Sequence, residues 1–146
     1  MQRLRLFPFL FFIFLFSAFY NPTHPVLKLK IYNISPSQGN LIIYIYNKEG
    51  SIPDKNFSRY YKKKSIPVTD NQAEISFTNL PQGRYAVMVL HDENKNGKLD
   101  KTFMKPKEGF GLSNFKKISL FNKPSFKKAS FKLQKDTLIT IKTIYL

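Results

Sequence analysis

Apolar side chains recur at every second position in several short runs of this chain, and that period decides its fold class. Across residues 26–34, Leu27, Leu29 and Ile31 fall on one face and Lys28 and Lys30 on the other, the pattern of a strand with one buried and one wet face. Ala73, Ile75 and Phe77 alternate in the same way with Glu74, Ser76 and Thr78. Towards the C-terminus, Ala129, Phe131 and Leu133 alternate with Ser130 and Lys132, and Ile139, Ile141 and Tyr145 with Thr140 and Lys142. Two further runs, residues 41–46 and 85–90, are apolar or aromatic throughout, as expected of strands inside a sheet with little water on either face.

Turn residues separate these runs. Pro36-Ser37-Gln38-Gly39-Asn40 lies between the first two and predicts that they pair as a hairpin, and Pro81 and Gly83 close the run before residue 84. Residues 50–65, with Pro53, Tyr60-Tyr61 and the Lys62-Lys63-Lys64 run, read as a solvated connection, with another short strand starting near Ile66. Residues 97–125 carry several glycines and prolines and predict a long loop or a series of short turns. The order of elements predicts an all-β protein, an antiparallel β-sandwich of about seven strands.

The chain has 146 residues. It opens with Arg3 and Arg5, followed at residues 6–20 by almost nothing but Leu, Phe, Ile and Ala, broken by Pro8 and Ser17 and ended by Asn21-Pro22. A positive start followed by an apolar run too short to span a bilayer comfortably predicts an N-terminal signal helix at residues 1–20. Ser17-Ala18-Phe19 lacks a clean small-residue cleavage pattern, so retention as an uncleaved anchor stays open. The expected location is exported: periplasmic, outer-membrane-associated or extracellular. Residues 26–146 then form one domain of roughly 120 residues, enough for a single core.

The chain has no cysteine, which excludes disulfides, thiolate metal sites and cysteine nucleophiles. Its net charge is +15. All but four of the 24 basic residues are lysines, and of the arginines only Arg59 and Arg84 lie beyond the leader, so the planar forks that read nucleic acid are scarce. The charge argues for loose attraction to anionic lipid or polysaccharide and against nucleic acid.

Residues 91–100 read HDENKNGKLD. Oxygen-bearing side chains stand at Asp92, Asn94, Asn96 and Asp100, Gly97 permits a sharp turn, and the Lys98 carbonyl falls where such loops supply a backbone ligand. Alternate oxygens of this kind suit calcium, which takes six to eight oxygen ligands. Phe103 occupies the position of an EF-hand's closing Glu, so the loop is of another type, and Glu93 or Glu108 is the candidate for a further carboxylate. With two assured carboxylates, the expected affinity is on the order of 0.1–1 mM. A second account needs no ion, because Asp and Asn also bond their own backbone in tight turns.

A Ser-His-Asp set can be spelled from Ser113, His91 and Asp92. Adjacent strand residues point to opposite faces, however, so Asp92 is badly placed to orient His91. No catalytic residue is assigned. The alternative to a binding module is a small hydrolase or ligand-processing enzyme using His91, Asp92 and Glu108.

The stretch LPQGRYAVMVLHDENKNGKLD (residues 80–100), followed by PKEGFGLSN (106–114) and PSFKKASF (124–131), resembles the bacterial family DUF2141. Leu80, Pro81, Gly83, Tyr85, Ala86 and Val87 carry the likeness in the turn and strand. His91, Asp92, Asn94, Asn96, Gly97, Leu99 and Asp100 carry it in the loop, and Pro106, Glu108, Gly109, Gly111, Ser113 and Asn114 in the second block. Met104-Lys105 stands where the pattern has a Gly before the Pro. The resemblance implies an exported single-domain protein of Gram-negative bacteria with a transthyretin-like or immunoglobulin-like sandwich, and brings no activity with it. The expected function is a non-enzymatic binding or interaction module of the envelope, with an unidentified envelope or extracellular partner and a calcium-type loop.

Overall fold

The structure, a computed structural model, describes residues 24–102, 105–119 and 121–145; the leader read at residues 1–20 lies outside them. In chain order the elements are β1 (Leu27–Tyr32), β2 (Asn40–Tyr46), β3 (Lys62–Pro67), β4 (Gln72–Phe77), β5 (Gly83–Asp92), β6 (Lys101–Thr102), β7 (Lys105–Pro106), β8 (Phe110–Leu112), α1 (Phe126–Ala129), β9 (Phe131–Leu133) and β10 (Thr137–Lys142). The domain is all-β, α1 being a single four-residue turn.

Two sheets face each other. In the first, ordered β10-β1-β4, β1 runs antiparallel to β4 (Leu29 opposite Ile75) and parallel to β10 (Leu29 opposite Ile139). The sandwich is therefore mixed rather than wholly antiparallel. A parallel pair cannot be closed by a tight turn, and here most of the domain lies between the partners. The second sheet is ordered β3-β2-β5-β8, with β9 pairing the opening residues of β5 and β8 its later ones.

The expected hairpin of β1 with β2 does not form, because the two strands sit in different sheets. Their polarity explains the separation. β1 has one lysine-bearing face and suits a sheet wet on its outside, whereas β2 is buried along nearly its whole length and needs cover on both sides. Leu27, Leu29 and Ile31 instead meet Leu41, Ile43, Ile45, Val87 and Val89 across the sandwich, in one buried cluster. Each such side chain contributes about 1.5–3 kcal/mol by leaving water.

The outer face of the second sheet carries a second apolar cluster. Ile42, Tyr44 and Tyr46 of β2 stand beside Leu90, Met88 and Ala86 of β5, and are covered by Ile52 and Phe57 on one side and Phe115, Ile118 and Phe126 on the other. The irregular connections are thus a covering layer, as β2 and β5 require.

Two local readings change. The Lys62-Lys63-Lys64 run is strand, not connection: it opens β3, which among the described residues pairs only with β2. Lysines on an edge strand discourage pairing with another chain. The strand expected from Ala129 starts at Phe131, because Ser125 caps α1 by accepting from the Lys128 amide (3.3 Å). At the other end of β5, the Tyr85 hydroxyl donates to the Pro81 carbonyl at 2.8 Å, a tie between a strand and its preceding turn that β-sandwiches use repeatedly.

Candidate functional site

β5 ends at the rim of the second sheet with two residues of opposite fate. His91, paired with Leu41, faces inward and is fully buried. Its Nε2 lies 2.7 Å from the Gln38 carbonyl, so that nitrogen must donate, and its Nδ1 lies 2.8 Å from the Tyr145 hydroxyl. That hydroxyl already accepts the Ser35 amide at 2.7 Å, which leaves its own proton for Nδ1. Burial holds the Tyr145 hydroxyl above the usual tyrosine range, the Ser35 amide opposing and the Glu93 charge reinforcing the shift. Both imidazole nitrogens are therefore engaged inside the domain.

Asp92, paired with Asn40, points to the other face and is also buried. Its Oδ1 accepts the Asn96 amide (3.0 Å) and its Oδ2 the Gly97 amide (2.8 Å). The Asn94 side-chain oxygen shares the Asn96 amide (3.0 Å), and that of Asn96 accepts the Lys98 amide (2.8 Å). Asn94 and Asn96 then turn their Nδ2 groups to the two oxygens of Asp100, at 2.7 and 3.1 Å. Lys95 and Gly97 adopt left-handed φ values of 61° and 75°, the backbone requirement that Gly97 meets without strain.

Glu108 closes the base of this loop. It is 3% exposed, and its Oε1 accepts the Glu93 amide while its Oε2 accepts that of Asp100, each at 3.0 Å. The Lys107 amide adds a bond to the Asp100 carbonyl at 2.8 Å. Gly39 packs on the opposite side of the strand end, so close that a Cβ there would stand 2.7 Å from the Cα of Glu93 and overlap the Asp92 carbonyl.

The structure thus brings Asp92, Asn94, Asn96 and Asp100 into one turn with Lys98 on it, and sets Glu108 beneath as a brace. The donor set suits a hard cation in kind: two carboxylates, two amide oxygens and the Lys98 carbonyl. No group of three His, Asp or Glu side chains gathers at metal-binding distance among the described residues, so the carboxylate contribution is confined to Asp92 and Asp100. Ser113 is not drawn to His91. Its hydroxyl accepts the Val87 amide at 2.9 Å and donates to the Ala129 carbonyl at 2.8 Å, tying the covering layer to β5.

One buried cluster escaped the sequence. Asp54 is 5% exposed and accepts the Arg59 amide (2.8 Å) and the Tyr46 hydroxyl (3.3 Å), with the Arg59 Nε at 3.7 Å. Burial alone would raise its pKa, but the amides of Arg59 and Ser58, the Tyr46 hydroxyl and the guanidinium together hold it below the ordinary range. Arg59 also donates to the carbonyls of Gly50 and Pro53, so the cluster staples the covering segment to β2. The available signal was an Asp five residues before one of two arginines outside the leader.

A family model described as an uncharacterized protein conserved in bacteria (DUF2141) matches residues 29–141. No curated protein and no solved structure matches the chain.

Proposed function

The chain belongs to the DUF2141 family, conserved in bacteria, and on that premise we propose that it is an exported, non-enzymatic binding module whose loop at residues 92–100 takes up a calcium ion. The observation that carries this reading is the convergence of Asp92, Asn94, Asn96 and Asp100 within hydrogen-bonding distance of one another in one braced turn. Asp92 and Asp100 would supply the charge, Asn94, Asn96 and the Lys98 carbonyl neutral oxygens, and Glu108 the brace that keeps the loop closed. An ion supplies a positive centre in place of the two amide donors that Asp100 now uses. Export is supported by the leader read at residues 1–20, and a calcium-rich exterior suits a site of modest affinity.

A hydrolase using His91, Asp92 and Glu108 has less support, because a base needs a nitrogen or oxygen free to reach substrate. Here both His91 nitrogens hold partners inside the domain and the residue is fully buried, and Asp92 faces away from it.

Thermal unfolding of the purified protein in calcium and in chelator tests the ion. At ten times the dissociation constant, binding to the native state alone stabilises by about 1.4 kcal/mol, a rise of about 5 °C for a domain of this size. In Asp92→Ala the calcium-dependent rise should vanish while the far-ultraviolet spectrum stays that of a β protein. Identical midpoints for the unaltered protein in both buffers, up to 10 mM calcium (about ten times the weaker expected constant), would refute the ion.

A further inference from the structure

The covering layer on the outer face of the second sheet does not close everywhere. Met88, Leu90 and Leu112 form the floor of a cavity of about 160 Å³, with Phe57, Leu99 and Ile118 among its walls. Its surface is almost wholly apolar. Cavities of about 150 Å³ lined by aliphatic and aromatic side chains stay dry and admit a guest the size of benzene. This one has room for a ring or a short stretch of alkyl chain.

The exposed charge beside it is cationic, while the nearby carboxylates of Asp54 and Asp92 are buried and already bonded. A wider depression of about 360 Å³ adjoins the cavity, sharing Lys55, Phe57 and Leu99 with it, and adds Lys63 and Lys98. All three lysines are exposed, and the Lys63 ammonium sits 5.4 Å above the Tyr44 ring. Asp54 itself lines the cavity, but its carboxylate is buried and committed to Arg59 and Tyr46, so its charge is met there rather than by the three lysines. An apolar hole opening beside three ammonium groups complements a molecule with an apolar tail and an anionic head.

We infer that this cavity binds the tail of a single-chain anionic amphiphile, a medium-chain fatty acid, with its carboxylate held by Lys55, Lys63 and Lys98. The cavity's apolar lining supplies affinity through each buried methylene, about fourfold per carbon. The lysines select the sign of the head. Leu99 and Phe57 stand where the two regions meet and therefore flank the chain as it passes from tail to head.

Calorimetric titration of the purified protein with butyrate, hexanoate and octanoate, and with octanol and octylammonium, tests the inference. Affinity should rise about fourfold per methylene along the carboxylates. Octanoate should bind at least tenfold more tightly than octylammonium, with octanol between them. Lys55→Glu with Lys63→Glu, both on exposed positions, should remove the preference for octanoate over octanol. Ile118→Phe, which narrows the cavity, should weaken octanoate at least fivefold; if that variant misfolds, the head-group series on the unaltered protein decides alone. No heat with octanoate at millimolar concentration at both about 10 and about 35 °C, temperatures between which the heat-capacity change of apolar burial must show, or equal binding of octanoate and octylammonium, would overturn the proposal. Every titration is run in chelator, so its outcome is independent of the ion at residues 92–100.

Discussion

Glu108 is the residue whose removal tests the architecture of the rim most sharply. Its buried carboxylate makes two bonds of 3.0 Å, to the amides of Glu93 and Asp100, and bonds to a charged acceptor are worth about 1.5–3 kcal/mol each. Glu108→Ala removes both and leaves two amides to find other partners, a loss of about 3 kcal/mol after partial refilling by water. Glu108→Gln keeps one acceptor and turns an NH₂ group towards the second amide, so about half that loss is expected. In urea, with a slope of about 1.5 kcal/mol/M, the alanine variant should unfold roughly 2 M earlier at unchanged slope. Hydrogen exchange should quicken first at Glu93 and Asp100, the two amides released. If both variants fall within about 0.5 kcal/mol of the parent and those amides stay protected, Glu108 is not the clamp described.

Two further outcomes follow from other contacts. The Asp54 pKa is lower in the folded protein than in the unfolded chain; its contribution is complete above the usual aspartate value of about 4 and is lost as pH falls through the depressed folded value. Urea midpoints for the parent should therefore drop at the acid end, and Asp54→Asn should start lower and show a shallower fall; an equal acid slope in the two proteins would contradict this. Gly39→Ala meets both a positive φ of 82° and the main chain of residues 92 and 93, and should destabilise by about 3 kcal/mol. Gly97→Ala meets open space at a φ of 75° and should cost only about 1 kcal/mol, so equal urea midpoints for the two would dispose of the close approach.

The sequence declared its strands where side-chain period is a local property. Leu27, Leu29 and Ile31 alternate because one face of β1 is core, and the unbroken apolar run of β5 shows that both its faces are covered. Which strand pairs with which is not local, and the turn chemistry at residues 36–40 suggested a hairpin where the chain changes sheets. β8 was hidden for another reason. It is three residues long, with Gly111 at its centre and Gly109 just before it, both in tight approaches, a Cβ on Gly109 being 2.7 Å from Thr143 Cγ2 and one on Gly111 2.7 Å from Ile141 Cγ2, so the segment reads as loop. The loop's four oxygen-bearing side chains were legible in their spacing. Glu108 was named with them, but its part as a brace was not visible, because its partners are backbone amides, which leave no mark in side-chain pattern.

The pairing of β1 with β10 bears on how the molecule reaches its folded state. Among the described residues, the middle strand of the first sheet is the earliest, and one of its two neighbours is the last, residue 27 standing opposite residue 137. Contacts between such distant segments form slowly, since a long loop must close before any bond rewards it. During synthesis the first sheet cannot be completed until the final strand has left the ribosome. For a protein that is exported as proposed, that delay would leave the first sheet unfinished while a translocation channel still has to pass the chain as an extended polymer.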